Sequence, residues 1–449
     1  MVISPPARRT IRGDLVAGAA VIGFVLLATA VGFLTGARNY GADLYSRAAP
    51  RFGEYPVLAD LYPRVGPGSV FAVMIAVGVV AWGPVLAERL RWRTLLAAGY
   101  LTSVAWIFAL ALVDGWQRGV AHQLASGGEY LGAAGKVTDI PHFLATFTSR
   151  ILDFHANSWP THVAGHPPGA TLVFVWLDRI GLSGGGAAGV VCVLAGAAAT
   201  VAVPVTVAAL GRRDLARAAV PFAALLPGAI WLGVSADAMF AGVTACGVAL
   251  FATGASRGGR MLCVAGGVVL GFGIFLSYGL LLMAPIALAV VLVTKNWRAL
   301  CYAVPGALAV VGVFALAGFW WFEGYHLVVE RYNQGIATHR PYWYWVWANL
   351  ACLALAVGPA IAGMRRVDFL TGLRRPAEPV DALLRGAALA CLTATVSGLS
   401  KAEVERIWLP FAVWLVLAAV KLPPASRRWW LAAQAGTALV VEHLLLTTW

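Results

Sequence analysis

The sequence predicts an all-α, polytopic membrane protein with about thirteen spans. Its 449 residues are 60% hydrophobic and only 12% charged, with a mean hydropathy of +0.79, whereas a soluble chain carries about 25% charged residues. Apolar runs of about 17–22 residues recur along it, long enough to cross a hydrocarbon core of about 30 Å. Because these runs are continuously apolar and do not alternate, they favour helices over a barrel.

The apolar runs give the order of the elements. The predicted spans lie at about 14–36, 69–87, 94–113, 185–210, 217–234, 238–254, 261–276, 278–294, 299–319, 344–363, 386–399, 407–420 and 429–447. A further apolar stretch, 168–182, is interrupted by Asp178 and Arg179 and is too short to span. It is predicted to be a helix lying in the outer interface, with Pro168 in its first turn, where a missing N–H does no harm.

The distribution of positive charge predicts the orientation. Most of the 33 lysines and arginines fall in segments 1–13, 88–93, 211–217, 255–260, 295–298, 364–385 and 421–428. By the positive-inside rule these segments are cytoplasmic, which puts the N-terminus inside and the long polar loops outside the plasma membrane. The net charge of +13 is thereby explained without nucleic acid, which is not expected as a partner.

Cysteine usage gives no sign of a disulfide or a structural metal site. All six cysteines fall within apolar runs, and none forms a CxxC pair. Cysteines in such positions are typical of small buried hydrophobic residues. No metal ligands are therefore assigned from the sequence.

The candidate site is a polar loop, about 115–182, in a chain with few titratable groups. Three other polar groups are predicted on the same outer face: loop 320–343, run 400–406, and Asp237 between two spans. Charges at the end of a span are costly unless they are paired or face water, so they mark a functional site by default. We expect one outer cavity to collect residues from all four.

The order of these elements resembles a known family. Glu129-Tyr130 precedes His166-Pro167-Pro168 and a short amphipathic helix; a span ending in Arg212-Arg213 follows, then Asp237, and late in the chain Arg406 before a Pro-containing span. This order is similar to that of the GT-C superfamily of integral membrane glycosyltransferases, most of all the protein O-mannosyltransferases and bacterial aminoarabinose transferases.

The resemblance covers about residues 95–420. It divides the chain into an N-terminal two-span addition with an outer loop (1–93), a GT-C-like catalytic module (94–420) and a C-terminal span (421–449). Two positions depart from the family pattern. Gly128 stands where many relatives have Asp, and Gly169-Ala170 follows the two prolines where Leu-Gly or Leu-Tyr is usual.

The resemblance implies an inverting sugar transfer at the outer face. The donor is a sugar on a polyprenyl phosphate, and the acceptor is an envelope glycan, lipid or protein. A carboxylate must take the acceptor's proton. Glu129 is the first candidate for this base, Asp139 the second and Asp153 the third. The first two have simpler interpretations: Glu129 as a solvated loop charge, and Asp139 as a cap for a helix beginning near Pro141.

The other implied roles concern binding. Arg406 is the candidate for the leaving phosphate, since a guanidinium matches phosphate geometry; the alternative is simple pairing with Glu403 or Glu405. The substrate-binding candidates are Tyr130, His162, Pro167, Asp237, Arg340, Lys401, Glu405 and Arg406, and His166 joins the catalytic set. Asp237 is equally readable as a helix cap. Because the donor carries one phosphate, no cofactor is required, although His162 and His166 leave a divalent cation open.

A transporter or flippase for a lipid-linked or polar solute is the alternative function. Such proteins place ionisable groups and broken helices near the membrane midplane, often in two matching halves. Here the polar residues are predicted at the outer ends of the spans, and no internal repeat is evident. The sequence therefore favours the enzyme, and it identifies neither the sugar, the acceptor nor the oligomeric state.

Overall fold

The computed structural model describes residues 8–35, 56–369 and 378–447, and most of these residues are helical. The first half contains α1 (Arg8–Thr35), α2 (Ser69–Arg89), α3 (Trp92–Ala111), α4 (Leu131–Ala134), α5 (Ile140–Ala145), α6 (Thr161–Gly165), α7 (Pro168–Arg179), α8 (Gly185–Ala197), α9 (Ala199–Ala209), α10 (Arg213–Ala224) and α11 (Ala229–Leu232). A strand, β1 (Ala59–Leu61), precedes α2.

The second half of the chain is also mainly helical. It contains α12 (Ala236–Arg257), α13 (Arg260–Leu276), α14 (Ala284–Thr294), α15 (Leu300–Leu316), α16 (Trp321–Gln334), α17 (Tyr342–Val357), α18 (Pro379–Ser397), α19 (Val404–Ile407), α20 (Leu409–Leu415), α21 (Arg427–Leu444) and the strand β2 (Leu445–Thr447). The two strands pair antiparallel, with Asp60 opposite Leu446, so the end of α21 lies beside the segment before α2.

The predicted helical membrane class is confirmed, but the count of about thirteen spans is not. In the described ranges seven helices are long and apolar enough to cross a membrane: Ile11–Thr35, Ser69–Arg89, Trp92–Asp114, Gly185–Ala209, Ala236–Arg257, Trp297–Leu316 and Pro379–Ser397. Two sharply bent pairs, Tyr342–Val357 with Pro359–Arg366 and Leu409–Lys421 with Pro424–Leu444, raise the number to nine.

The sequence count exceeds seven to nine because a buried apolar run has the same composition as a lipid-facing one. The predicted span 217–234 is in fact α10 and the one-turn α11, separated by a turn around Pro227-Gly228, and nearly every residue there is buried. The predicted spans 407–420 and 429–447 form one pair bent by 111°. Prolines and interior packing break these runs, and hydropathy alone does not detect either.

Close helix contacts at small residues build the centre of the bundle. A Cβ added at Gly242 of α12 would lie 1.8 Å from the carbonyl oxygen of Ala195 in α8. Small residues allow such backbone approach between helices, which is the usual packing mode in membranes. Since α12 begins with the segment that carries Asp237, this contact fixes the position of that side chain relative to α8.

Ion pairs connect the segments that the charge pattern groups together as cytoplasmic. Arg366 lies 2.7 Å from Asp14, Arg212 2.5 Å from Glu378, and Lys421 2.7 Å from Asp381. Residues from the start, middle and end of the chain thus meet in the predicted cytoplasmic segments. The loops predicted to be outer are brought together separately, as the strand pair and the site described next show.

Candidate active site

The loop between α3 and α7 is a folded unit of short helical segments. Its centre is an aromatic cluster of Phe143, Phe147 and Trp159, with ring centroids 5.4–5.6 Å apart. The guanidinium of Arg150 lies over the Trp159 ring, 3.4 Å from its centroid. Aromatic packing of this kind supplies much of the burial in a small unit. The polar loop of the sequence is therefore a rigid support for the side chains at its surface.

Glu129 and His162 form a hydrogen-bonded pair on this unit. Nδ1 of the imidazole contacts Oε1 of the carboxylate, and the backbone N–H of His162 donates to the carbonyl of Gly128 over 3.0 Å. Glu129 is only 2% exposed, which rules out the reading as a solvated loop charge. The histidine side chain is the more accessible partner, with 21% of it exposed.

Tyr130 and His166 lie next to that pair, each with its ring centroid 6.4 Å from that of His162. Tyr130 is fully buried and stacks on Phe174 of α7 at 5.1 Å between ring centroids. Nδ1 of His166 lies 2.8 Å from the carbonyl oxygen of His162 and 3.0 Å from the Tyr130 hydroxyl. Because a carbonyl only accepts, the proton of His166 is on Nδ1 and its Nε2 carries a lone pair. Burial lowers the pKa of His166, so the ring is neutral near pH 7.

The two prolines after His166 start α7 as predicted. Pro167 is the N-cap, with φ of −60° and ψ of 158°, and Pro168 opens the helix. The departure at Gly169 has a structural reason, since a Cβ there would lie 2.5 Å from the carbonyl oxygen of Phe275. With twelve residues, α7 is also too short to span a bilayer. Pro167 thus contributes to the site through the backbone, by directing the chain from His166 into α7.

Arg406 and Asp237 bring the end of the chain to the same place. One guanidinium nitrogen of Arg406 lies 3.1 Å from Oδ2 of Asp237, and both side chains are 6% exposed. The cap of α12 is Ser235, whose hydroxyl accepts a hydrogen bond from the N–H of Ala238 over 3.2 Å. Asp237 is therefore an ion-pair partner of Arg406 and not the helix cap.

Glu403 is the residue that joins two arginines, and the sequence did not single it out for a site role. Its Oε2 lies 3.2 Å from Arg406 and its Oε1 3.2 Å from Arg340. Burial by itself would raise the pKa of the Glu403 carboxyl, but the two guanidiniums outweigh burial and bring it to about 2. The carboxylate is charged throughout the physiological range. In the sequence it was visible only as an alternative partner of Arg406.

Arg340 and Lys401 are anchored to the backbone. Arg340 donates to the carbonyl of Lys401, and the Lys401 ammonium donates to the carbonyl of Ala337 over 3.1 Å. The N–H of Lys401 in turn donates to the Tyr332 hydroxyl over 3.1 Å. These contacts hold loop 335–341 against the segment before α19. Two of the polar groups predicted on the outer face, loop 320–343 and run 400–406, are therefore in contact.

Three acidic candidates have other roles in the structure. Asp139 is exposed and caps α5, accepting a hydrogen bond from the N–H of His142 over 3.1 Å. Asp153 lies 2.7 Å from Arg331 of α16. Glu405 is 2% exposed and lies beside the thiol of Cys352, on α17. The structure thus places Glu129, and not Asp139 or Asp153, at the centre of the cluster.

A cavity of about 370 Å³ opens at this cluster. Its lining residues are Leu58, His122, Gln123, Ser126, Glu129, His162 and Glu403. The carboxylate–imidazole pair and the carboxylate shared by two arginines therefore border one cavity. His122, Gln123 and Ser126 precede Glu129 in the same loop, and nothing in their residue types distinguishes them from ordinary loop residues in the sequence.

The side chains that could ligate a metal are distributed as follows. Across residues 8–35, 56–369 and 378–447, no three His, Cys, Asp or Glu side chains are grouped as potential ligands. His162 and His166, the two residues that left a cation open, direct their Nδ1 atoms to Glu129 and to backbone and tyrosine oxygens.

Comparison with known proteins gives few matches. No family profile and no curated protein matches the chain. Among solved structures the chain is similar to the crystal structure of the Archaeoglobus fulgidus oligosaccharyltransferase in complex with zinc and sulfate, with a TM-score of 0.46 and 16% sequence identity. The likeness covers 79% of this chain and 53% of that one, so the chain spans about half the length of the oligosaccharyltransferase.

Proposed function

We propose that this protein is a GT-C-type membrane glycosyltransferase that moves a sugar from a polyprenyl phosphate to an acceptor hydroxyl. The observation that carries the proposal is the joint placement, at one cavity, of the Glu129–His162 pair and of Glu403, whose carboxylate contacts the buried Arg406. A proton acceptor and a cation for a phosphate are the two groups that such a transfer needs.

The reaction assigns one task to each group. The acceptor oxygen attacks C1 of the sugar from the face opposite the phosphate, and its proton passes to the Glu129 carboxylate. The bond between C1 and the phosphate oxygen breaks, and the polyprenyl phosphate leaves with the bonding electrons. Configuration at C1 is inverted. His162 holds Glu129 at the cavity through its Nδ1–H, and this hydrogen bond fixes the orientation of the carboxylate.

The leaving phosphate is assigned to Arg406, with Arg340 beside it. The side chains of both arginines are almost fully buried, and electrostatic attraction in a site with little water is stronger than at a surface. A guanidinium binds phosphate with paired hydrogen bonds. The carboxylate of Asp237, 3.1 Å away, holds Arg406 in place.

The placement in the cell is part of the same proposal. The basic segments meet in one set of contacts and the cavity residues in another, which supports a cytoplasmic N-terminus and an active site on the outer face of the plasma membrane. The acceptor there is an envelope glycan, lipid or protein. A donor with one phosphate requires no metal cofactor, and added divalent cation is one condition of the assay below.

A transfer assay in membranes tests the proposal. Membranes containing the full-length protein are incubated with a panel of radiolabelled polyprenyl-phosphate sugars, and label is followed into lipid, glycan and protein fractions, with EDTA or with added Mg²⁺. We expect label transfer that Glu129→Gln abolishes and that the exposed-residue change Glu330→Gln leaves intact. Movement of the unreacted donor across the bilayer, without transfer, would instead identify a flippase.

A further inference from the structure

The turn that carries Glu403 is held in a strained backbone conformation. Ala402 and Glu403 are consecutive residues with positive φ, 67° and 60°. Side-chain-bearing residues rarely adopt this left-handed region, and two in succession are unusual. Such strain persists only where surrounding contacts impose it, and it concentrates at functional sites.

The contacts that impose the strain come from three separate elements. Asn349 of α17 donates to the carbonyl of Ser400 over 2.7 Å and accepts from the N–H of Ala402 over 3.2 Å. Tyr332 of α16 accepts from the N–H of Lys401, and Trp408 donates to the Ser400 hydroxyl over 3.2 Å. Each contact is to a residue before Glu403. The turn is thus fixed from Ser400 to Ala402, and the Glu403 carbonyl accepts from the N–H of Arg406 over 3.1 Å. Within the described part of the chain, the Glu403 side chain forms ion pairs with Arg340 and Arg406.

The two acids that neutralise Arg406 differ in access to the cavity. Asp237 is 6% exposed and does not line it, whereas the Glu403 side chain is 23% exposed and is one of the lining residues. A buried guanidinium needs a counter-ion whenever no ligand is bound. Asp237 supplies a permanent one, and Glu403 occupies the position nearest the cavity.

We propose that Glu403 is a displaceable counter-ion: in the empty protein its carboxylate occupies the place between Arg340 and Arg406 that a phosphate group takes when the lipid-linked ligand binds. The inference rests on the proposed function for the identity of the phosphate carrier. The Oε1 and Oε2 atoms each contact one arginine, as two oxygens of a phosphate would. Binding of the phosphate would release the Glu403 side chain toward the cavity, while the contacts to Ser400, Lys401 and Ala402 keep the backbone turn in place.

The counter-ion role and a purely positioning role of Glu403 predict opposite effects of Glu403→Gln on phosphate binding. If Glu403 only positioned the arginines, Glu403→Gln would weaken phosphate binding. If Glu403 competes with the phosphate, the same change removes the competing charge and strengthens binding. We expect the Kd for undecaprenyl phosphate to fall on the order of tenfold in Glu403→Gln, in line with removal of a like charge from a close-contact site.

The experiment measures binding to full-length protein in nanodiscs by microscale thermophoresis. The probes are undecaprenyl phosphate and inorganic phosphate, so that a lipid-borne phosphate is distinguished from the free ion. The variants are Glu403→Gln and Arg406→Gln, with Glu330→Gln as the matched Glu-to-Gln control and Ala402→Gly as the control for relief of backbone strain. Thermal unfolding with and without each probe checks that every variant is folded and supplies a second measure of binding.

The outcomes separate the two proposals. Tighter binding in Glu403→Gln and weaker binding in Arg406→Gln, with both controls within twofold of wild type, is the expected result. Weaker or unchanged binding in Glu403→Gln, with wild type still binding the lipid, overturns the counter-ion role and leaves the glycosyltransferase proposal in place. Binding of neither probe to wild type or Glu403→Gln overturns both proposals.

Discussion

Nδ1 of His162 is hydrogen-bonded to the carboxylate of Glu129, which is almost completely buried beneath it. Because the carboxylate needs this donor to hold its direction, Glu129 and His162 act as a unit. We expect Glu129→Gln to reduce kcat by on the order of 10²–10⁴-fold, the usual contribution of a general base. The measurement is the initial rate of label transfer in membranes at saturating donor.

The same pair predicts a smaller effect for the histidine. His162→Asn removes the imidazole and leaves the carboxylate, so we expect kcat to fall roughly tenfold. In a protein that already carries Glu129→Gln, adding His162→Asn should not lower kcat further. A double variant that is no slower than Glu129→Gln alone supports one unit. Two independent, multiplying losses would contradict it, and a larger loss in His162→Asn than in Glu129→Gln would make the imidazole the proton acceptor.

Asp139 offers a direct contrast, because its carboxylate caps α5. Asparagine is as good an N-cap as aspartate, and alanine is not. We expect Asp139→Asn to retain wild-type stability and transfer, and Asp139→Ala to lose about 1 kcal/mol of local helix stability. Thermal unfolding and the transfer assay on both variants check this. A loss of transfer in Asp139→Asn, with its stability unchanged, would return Asp139 to the catalytic candidates.

The sequence predicted which residues belong to the site better than it predicted their contacts with one another. Charged residues are scarce in an apolar chain, so Glu129, His166 and Arg406 were visible against the background. Glu403 was not, because its role depends on a backbone turn and on an arginine 63 residues away, and neither leaves a local pattern. The predicted span count exceeds the seven to nine candidate spans for a related reason. Hydropathy measures whether a residue avoids water, and burial against protein and burial in lipid give the same signal.

The buried pair of Arg406 and Asp237 predicts non-additive effects on stability. Arg406→Gln leaves the Asp237 carboxylate buried without its ion partner, and removal of one member of a buried pair typically costs about 3–5 kcal/mol. Asp237→Asn alone is expected to be milder, because Glu403 still neutralises Arg406 at 3.2 Å. The double variant should be more stable than the sum of the two single changes implies. Thermal unfolding in detergent at one pH measures all four forms, and strict additivity would show that the pair is not coupled.

Glu405 gives a prediction about pH, because the pKa of its carboxyl is raised to about 7. Burial is the largest cause and raises the pKa, and the nearby Glu403 carboxylate raises it too, while a backbone hydrogen bond, Arg406 and Cys352 lower it. The ordinary value for this group is 4.5. With the pKa higher in the folded state than in the unfolded chain, the folded protein binds the extra proton, so the stability from Glu405 is fully present below pH 4.5. It falls as the pH rises from there through about 7. Glu405→Gln fixes the neutral form, and we expect it to remove this dependence.

The difference in stability between Glu405→Gln and wild type should therefore grow with pH. At pH 4.5 the Glu405→Gln variant and wild type should unfold at nearly the same temperature, and at pH 8 the variant should be the more stable by on the order of a few kcal/mol. Thermal unfolding of both proteins at half-unit steps between pH 4.5 and 8.5 measures the divergence, with Glu330→Gln as the exposed control. A constant gap between the two curves across this range would mean that Glu405 does not titrate within it.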